Sequence, residues 1–288
     1  MGDVTAIDDD RYADYLAHGG DLSREDLAVE IRRIIAEQEA NPVNYAGLVL
    51  AVCGIEREMA LSNPFTEGAN LHSGGDVKQL RHALGWMEAK EKTAAVISFG
   101  LAGGLDPALK VGEVVCARAI HDGERLYPTD PEWLALLASR TGARVVDCVF
   151  GSDVLAATPR MKAAMFAATG AATVDMESQE VARWAARQNI PTAVLRVVSD
   201  GSRHTLPSSA AAGMGADGKI DVGAVLRELA RRPYQLPALI RTSFDVEHAF
   251  RSLKRAAEAA GQYLAFPDER VWVKGELPLR EPAADAAP

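Results

Sequence analysis

TVDMESQEVARWAARQNIPTAVLRVVSD, residues 173–200, sets a strand, a helix and a second strand in one unbroken run. The first strand, over 171–177, ends in Asp175-Met176-Glu177. A helix over 177–188 follows, with Val181, Trp184 and Ala185 at the three- and four-residue spacing of one buried face. Residues 192–200 then make a near-continuous apolar strand, as expected of a strand covered on both faces. It ends Arg196-Val197-Val198-Ser199-Asp200. Open α/β sheets take ligands beyond the carboxyl ends of their strands, and carboxylates stand at two such ends here. Asp and Ser also cap helices well, but an apolar strand that delivers Arg196 and Asp200 together is costly without a purpose.

The same alternation continues on both sides. Strands are expected over 46–54, 94–100, 112–120 and 143–151, and helices over 76–90, 131–140 and 158–168. The pattern predicts an α/β fold, a single domain with a mostly parallel central sheet flanked by helices, over residues 46–205. A helical extension precedes it over 1–45, where Ser23 opens a helix carrying Leu27, Ile31, Ile34 and Ile35 with Asp26 in the capping-box position. A helical extension follows over 206–288, completing the domain and ending in a flexible tail. Its long helix begins near Pro237 and carries Leu239, Ile240, Phe244, Phe250 and Leu253 roughly on one stripe. Arg227, Arg231, Arg232, Arg241, Arg251, Lys254 and Arg255 make this end basic, which fits either a packed helix with solvated charges or a basic amphipathic surface facing a membrane.

Composition narrows the function. Asp plus Glu outnumber Lys plus Arg by 40 to 31, a formal charge of −9, which argues against a nucleic-acid partner that must neutralise phosphates. The three cysteines stand far apart with no CxxC pair, the usage of a reduced compartment. The acidic start, MGDVTAIDDDRYADY, lacks the apolar core of a signal peptide, and no apolar run reaches the roughly 20 residues of a membrane span. A cytoplasmic protein is expected, peripheral to the membrane at most. The six histidines show no HExxH or HxxxH spacing, so no metal is expected.

Two glycine-rich stretches could carry a ligand. FGLAGGL (99–105) follows a strand, where backbone amides form anion-binding nests, yet it is neither GxGxxG nor GxxxxGK[ST]. A structural turn fits it equally well. SGGD (73–76) precedes a helix whose N-terminus favours an anion. His204, four residues beyond Asp200, is either at a pocket rim or in a solvated loop.

Taken together, SFGLAGGLDPALKVGEVV, TVDMES and LRVVSD resemble the nucleoside phosphorylase and methylthioadenosine nucleosidase superfamily, in order and at fitting spacing. YPTDPEWLALL, FGSDVLAATP and DVGAVLRELARRPYQLPALIR look like its hopanoid-associated phosphorylase branch, which removes adenine from adenosylhopane. The resemblance implies that Asp200 protonates the departing purine at N7, since an adenine anion leaves poorly. It implies that Glu177 grips the ribose hydroxyls with Met176 packed under the sugar, and that a carboxylate there favours an oxocarbenium-like transition state. It places Val154, Leu155 and Ser199 at the base pocket.

The attacking group stays open. Ser73, Gly74, Gly75, Gly100, Arg57 and Arg196 could frame a phosphate, which would make inorganic phosphate a co-substrate. Leu101 stands where phosphorylases of this family have a serine, and Glu58 of GIEREM stands near the glutamate with which nucleosidases orient water. The branch resemblance favours phosphorolysis; these two residues favour hydrolysis. A methylthioadenosine or S-adenosylhomocysteine nucleosidase, a general purine nucleoside phosphorylase, and a nucleoside-binding protein without turnover are the rivals. The resemblance further implies a homo-oligomer, because neighbouring subunits of relatives complete the pocket, and no cofactor.

Overall fold

A computed structural model describes residues 45–90, 93–208, 222–267 and 271–272. The helix expected from Ser23, and almost all of the 1–45 extension, lie outside the described residues, as do 209–221 and the final tail. Ten strands and seven α-helices are described. In chain order they are β1 (Tyr45–Ala46), β2 (Leu48–Cys53), α1 (Glu56–Ser62), β3 (Asn70–His72), α2 (Val77–Lys90), β4 (Thr93–Gly104), β5 (Val114–His121) and β6 (Leu126–Pro128). Then come α3 (Pro131–Thr141), β7 (Arg144–Gly151), α4 (Pro159–Thr169), β8 (Thr173–Asp175), α5 (Ser178–Gln188), β9 (Thr192–Asp200), α6 (Val222–Arg231), α7 (Leu236–Ala260) and β10 (Val271–Trp272). Every strand and helix expected within 46–205 is present, with ends shifted by a few residues.

Eight strands form one mixed sheet flanked by helices. β2 pairs in parallel with β3 and β4, β4 with β9, β5 with β7, and β7 with β8. The β4–β8, β5–β6 and β5–β9 pairs are antiparallel. The pairings close a ring, β4–β9–β5–β7–β8 and back to β4, from which β2, β3 and β6 project.

Period-two alternation divides β2 between two apolar layers. Val49, Ala51 and Cys53 join Ile97, Phe99, Leu195 and Val197 under α3 and α7, where Trp133, Phe250 and Leu253 are buried. Leu50, Val52 and Val96 meet Leu80 and Leu84 of α2 and Val181 and Trp184 of α5 on the other side. Each fully buried aliphatic or aromatic side chain contributes roughly 1.5–3 kcal/mol, so both layers hold the strand ends where the polar site is built.

FGLAGGL is not a loop. β4 runs through it to Gly104, because chain without Cβ atoms can pass close to what lies beside it. The first turn after β2 also differs from expectation: GIEREM folds into α1, with Ile55 as its N-cap residue. The apolar stripe expected along the long helix splits. Phe250 and Leu253 are buried, whereas Ile240 and Phe244 are exposed, because at 100° per residue they fall about 80–180° away around the helix.

Candidate active site

Four carboxylates (Glu58, Asp175, Glu177 and Asp200) and two cations (Lys162 and Arg196), all buried, gather near the ends of β2, β4, β8 and β9. Arg196 is the pivot. It sits in the apolar strand β9, wholly buried, and its Nη2 donates to Asp175 Oδ1 at 2.9 Å and to the hydroxyls of Ser98 and Ser178. Glu177 Oε2 lies 3.7 Å from the same nitrogen. Burial works against the Arg196 charge, but Asp175, Glu177 and Glu58 more than offset it, and its pKa is raised. A buried arginine enclosed this way neutralises the protein's own carboxylates. Its Nη2 is engaged by Asp175, Ser98 and Ser178, while its buried Nε has no partner.

Glu58 is held in a nest of backbone amides. Its Oε2 accepts from Gly54 N at 2.7 Å and Ile55 N at 3.1 Å, and its Oε1 accepts from Leu101 N at 2.7 Å. The carboxylate comes from the first turn of α1 and reaches β4 across Gly100. A Cβ at Gly100 would stand 2.6 Å from the Glu58 carboxyl carbon, so only glycine fits. Burial raises the Glu58 pKa, while Arg196 and the three amides oppose the rise. Arg57, one residue earlier on α1, points elsewhere. It donates to Glu247 at 2.8 Å and lies 3.9 Å over the Phe250 ring, both on α7. A 100° step around a helix separates neighbours in this way.

Glu177 opens α5 and receives a 2.8 Å hydrogen bond from Ser73 Oγ. Burial pushes its pKa up to about 7; Arg196 opposes this, and Asp175 and Glu58 add to it. Ser73 therefore serves the glutamate. Its Oγ also accepts from Gly75 N at 3.0 Å, which fixes the Gly74-Gly75 turn, both glycines at positive φ. Met176 is half-buried beside it.

Asp200 ends β9, 4% exposed. Ser199 Oγ lies 2.6 Å from its Oδ1, and the Lys162 ammonium from α4 bonds its Oδ2. The β4–β9 register explains how Asp200 and Glu58 come to lie against one face of β4. Gly100 pairs with Arg196 and Gly103 with Asp200, and a bulge at Ala102/Gly103 sets three steps on β4 against four on β9. Arg196 and Asp200, four apart, share a face, so their glycine partners do too. The Gly103 Cα approaches closely enough that a Cβ would lie 3.6 Å from Asp200 Oδ2. Four residues of strand span about 13 Å, which sets the spacing between the Arg196 and Asp200 positions.

Val154, expected over the base, is 55% exposed, and Leu155 is partly buried. His204 Nε2 lies 3.1 Å from Thr242 Oγ1, which ties the segment after Asp200 to α7. Sequence reading missed Lys162, Ser98 and Ser178, and placed Asp175 at a strand end without a role. The sequence carries no signal for Lys162, which shares the first turn of α4 with Arg160.

A profile of the phosphorylase superfamily matches residues 83–231, just over half of the chain. The chain belongs to that superfamily. Solved structures agree in fold with this superfamily member. The 5′-methylthioadenosine/S-adenosylhomocysteine nucleosidase of Neisseria meningitidis, in complex with methylthio-immucillin-A, is 18% identical with a TM-score of 0.54, covering 74% of this chain and 97% of its own. The corresponding nucleosidase of S. pneumoniae, with a transition-state inhibitor, is 14% identical with a TM-score of 0.52, covering 73% and 98%. The Helicobacter pylori enzyme with 5′-methylthioadenosine in its active site is 14% identical at 0.50, covering 74% and 99%. No curated protein matches the sequence.

Proposed function

We propose that this superfamily member hydrolyses the N-glycosidic bond of an adenine nucleoside carrying a large apolar 5′ group, adenosylhopane being the nucleoside that the sequence resemblance names. The observation that supports hydrolysis over phosphorolysis is the amide nest at Gly54, Ile55 and Leu101, filled by the protein's own Glu58 carboxylate. An anion fixed by three N–H groups leaves no amides there for a phosphate dianion and repels one nearby. A carboxylate so placed accepts the proton of an attacking water. Leu101 in place of a hydroxyl is consistent with this, and so is the turning away of Arg57.

In this mechanism Glu177 clasps the ribose hydroxyls from beneath and stabilises the positive charge that develops as C1′–N9 lengthens. Asp200, on the far side of the bulge, gives a proton to N7 so that adenine departs neutral. An apolar 5′ arm finds its support at the outer face of α7, where Leu236, Ile240 and Phe244 are exposed at four-residue spacing, with Tyr234 just before them. Thr242, about 200° around the same helix from Ile240 and Phe244, contacts His204 in the segment after the acid.

The test is adenine release from a 5′-alkyl adenosine and from 5′-methylthioadenosine, each with and without inorganic phosphate. Free ribose product, a rate indifferent to phosphate and preference for the alkyl substrate are expected. A ribose 1-phosphate product would refute hydrolysis, and preference for the methylthio substrate would refute the apolar 5′ group.

A further inference from the structure

Among the described residues, Lys162 is the wholly buried cation that the proposed reaction has not used. It lies on α4, the helix that follows the 152–158 segment at the expected base pocket. Its ammonium has three protons. One goes to Asp200 Oδ2 and another, at 2.8 Å, to the carbonyl oxygen of Gly201. Both partners belong to the end of β9, so the lysine addresses the expected acid and the residue after it.

As a device for stability this arrangement is poor. The lysine is the fourth residue of α4, whose first turn starts at Pro159 behind the Thr158 cap. A cation there meets the positive end of the helix dipole. Removing two ions from water is costly, and their mutual attraction recovers that cost only in part. Methionine or leucine would fill the same space without it. The pair also conflicts with the simplest form of the mechanism. Both Asp200 oxygens already face donors, Oδ2 the Lys162 ammonium and Oδ1 the Ser199 hydroxyl at 2.6 Å, so the nearest proton to pass on is the one on the lysine.

We propose that Lys162 is the proton reservoir of the leaving-group acid: the proton delivered to the purine starts on Nζ and passes through Asp200. The inference rests on the glycosidase function proposed above. As C1′–N9 breaks, its electron pair stays with the base. Nζ transfers a proton to Asp200 Oδ2, the carboxylic acid so formed gives its proton to N7, and the carboxylate is restored. Water adds to C1′ and loses its proton to Glu58. The enzyme is left with neutral Lys162 and protonated Glu58. After products leave, Glu58 releases its proton to solvent and Lys162 takes one up, so one water is consumed and no net proton. Lys162 acts through Asp200 and is a positioning residue in this sense.

The discriminating experiment compares leaving groups. Wild type, K162M and D200N are assayed on a 5′-alkyl adenosine and on para-nitrophenyl β-D-ribofuranoside, whose nitrophenolate departs without a proton. K162M is expected to lose about 10²–10⁴ of kcat on the nucleoside, the usual worth of general acid catalysis, with KM nearly unchanged. Its nitrophenolate release stays within a few-fold of wild type, while D200N loses adenine release as K162M does. In K162A, added methylamine restores adenine release and leaves nitrophenolate release unmoved. Parallel loss on both substrates, or no rescue by methylamine, would overturn the proposal; the rescue also decides the matter if K162M does not fold. Wild-type enzyme that cleaves neither substrate would overturn the glycosidase function itself, an outcome distinct from a lysine variant that cleaves both as wild type does.

Discussion

Glu177 gives the sharpest quantitative expectation, because its burial has opposite consequences for stability and for activity. Its pKa in the folded protein is raised from 4.5 to about 7. The native state therefore holds this proton more tightly than the unfolded chain does. The resulting stability is fully present below pH 4.5, falls as pH rises, and is gone above 7. At 1.36 kcal/mol per unit, ionising Glu177 in place costs the fold about 3 kcal/mol at pH 8. E177Q keeps the neutral shape, and the amide oxygen it introduces can still accept from Ser73. The variant should match wild type near pH 4 and become more stable between pH 4.5 and 7. Above 7 its lead should be constant at about 3 kcal/mol, or roughly 5–10 °C in Tm. Adenine release should meanwhile fall by orders of magnitude, because an amide cannot offset a developing cation. Urea unfolding of both proteins at pH 4.5, 6 and 8, read by circular dichroism, measures the gap. A gap that does not change with pH, or a variant less stable than wild type at pH 8, would refute the account of the Glu177–Arg196 cluster.

Other expectations follow from the same geometry. G100A puts a methyl group into the Glu58 carboxylate; it should destabilise by about 1–3 kcal/mol and abolish turnover, seen by thermal unfolding and adenine release. R57A should leave kcat unchanged, since Arg57 faces Glu247 and Phe250, and should cost no more than about 1–2 kcal/mol in unfolding experiments. F244D alters a side chain 71% exposed; Tm should be unchanged, while kcat/KM for a 5′-alkyl adenosine falls relative to 5′-methylthioadenosine.

The strands and helices between 46 and 205 were legible because Val, Ile, Leu and Ala runs alternate with helical periodicity, and that periodicity reports burial directly. Glu58, Glu177 and Asp200 were singled out through motifs, and all three are buried near strand ends. Ring closure was not, since a three-residue strand such as β8 leaves no periodic signal and its pairing with β4 is settled by tertiary contacts. GLAGG read as a turn because glycines punctuate loops more often than strands. Here they thin a strand so that two carboxyl groups can approach it. Where Arg57 and Arg196 point was not legible, because sequence shows charge without direction. Lys162 could not be assigned at all: its partner lies 38 residues away, and nothing local distinguishes it from a surface lysine.

The ring has a kinetic corollary. Its polar joints connect residues distant along the chain: Glu58 to Leu101 across 43 positions, Arg196 to Ser98 across 98, Ser73 to Glu177 across 104. Such contacts form late, after the entropy of long loops has been spent. Until β9 inserts between β4 and β5, Arg196 and Asp200 have no neighbours against which to be buried, and Glu58 has no Leu101 amide to accept from. No half of this chain can therefore be a half-active enzyme. During refolding from denaturant, catalysis should return in the last phase and at the rate at which the whole sheet closes.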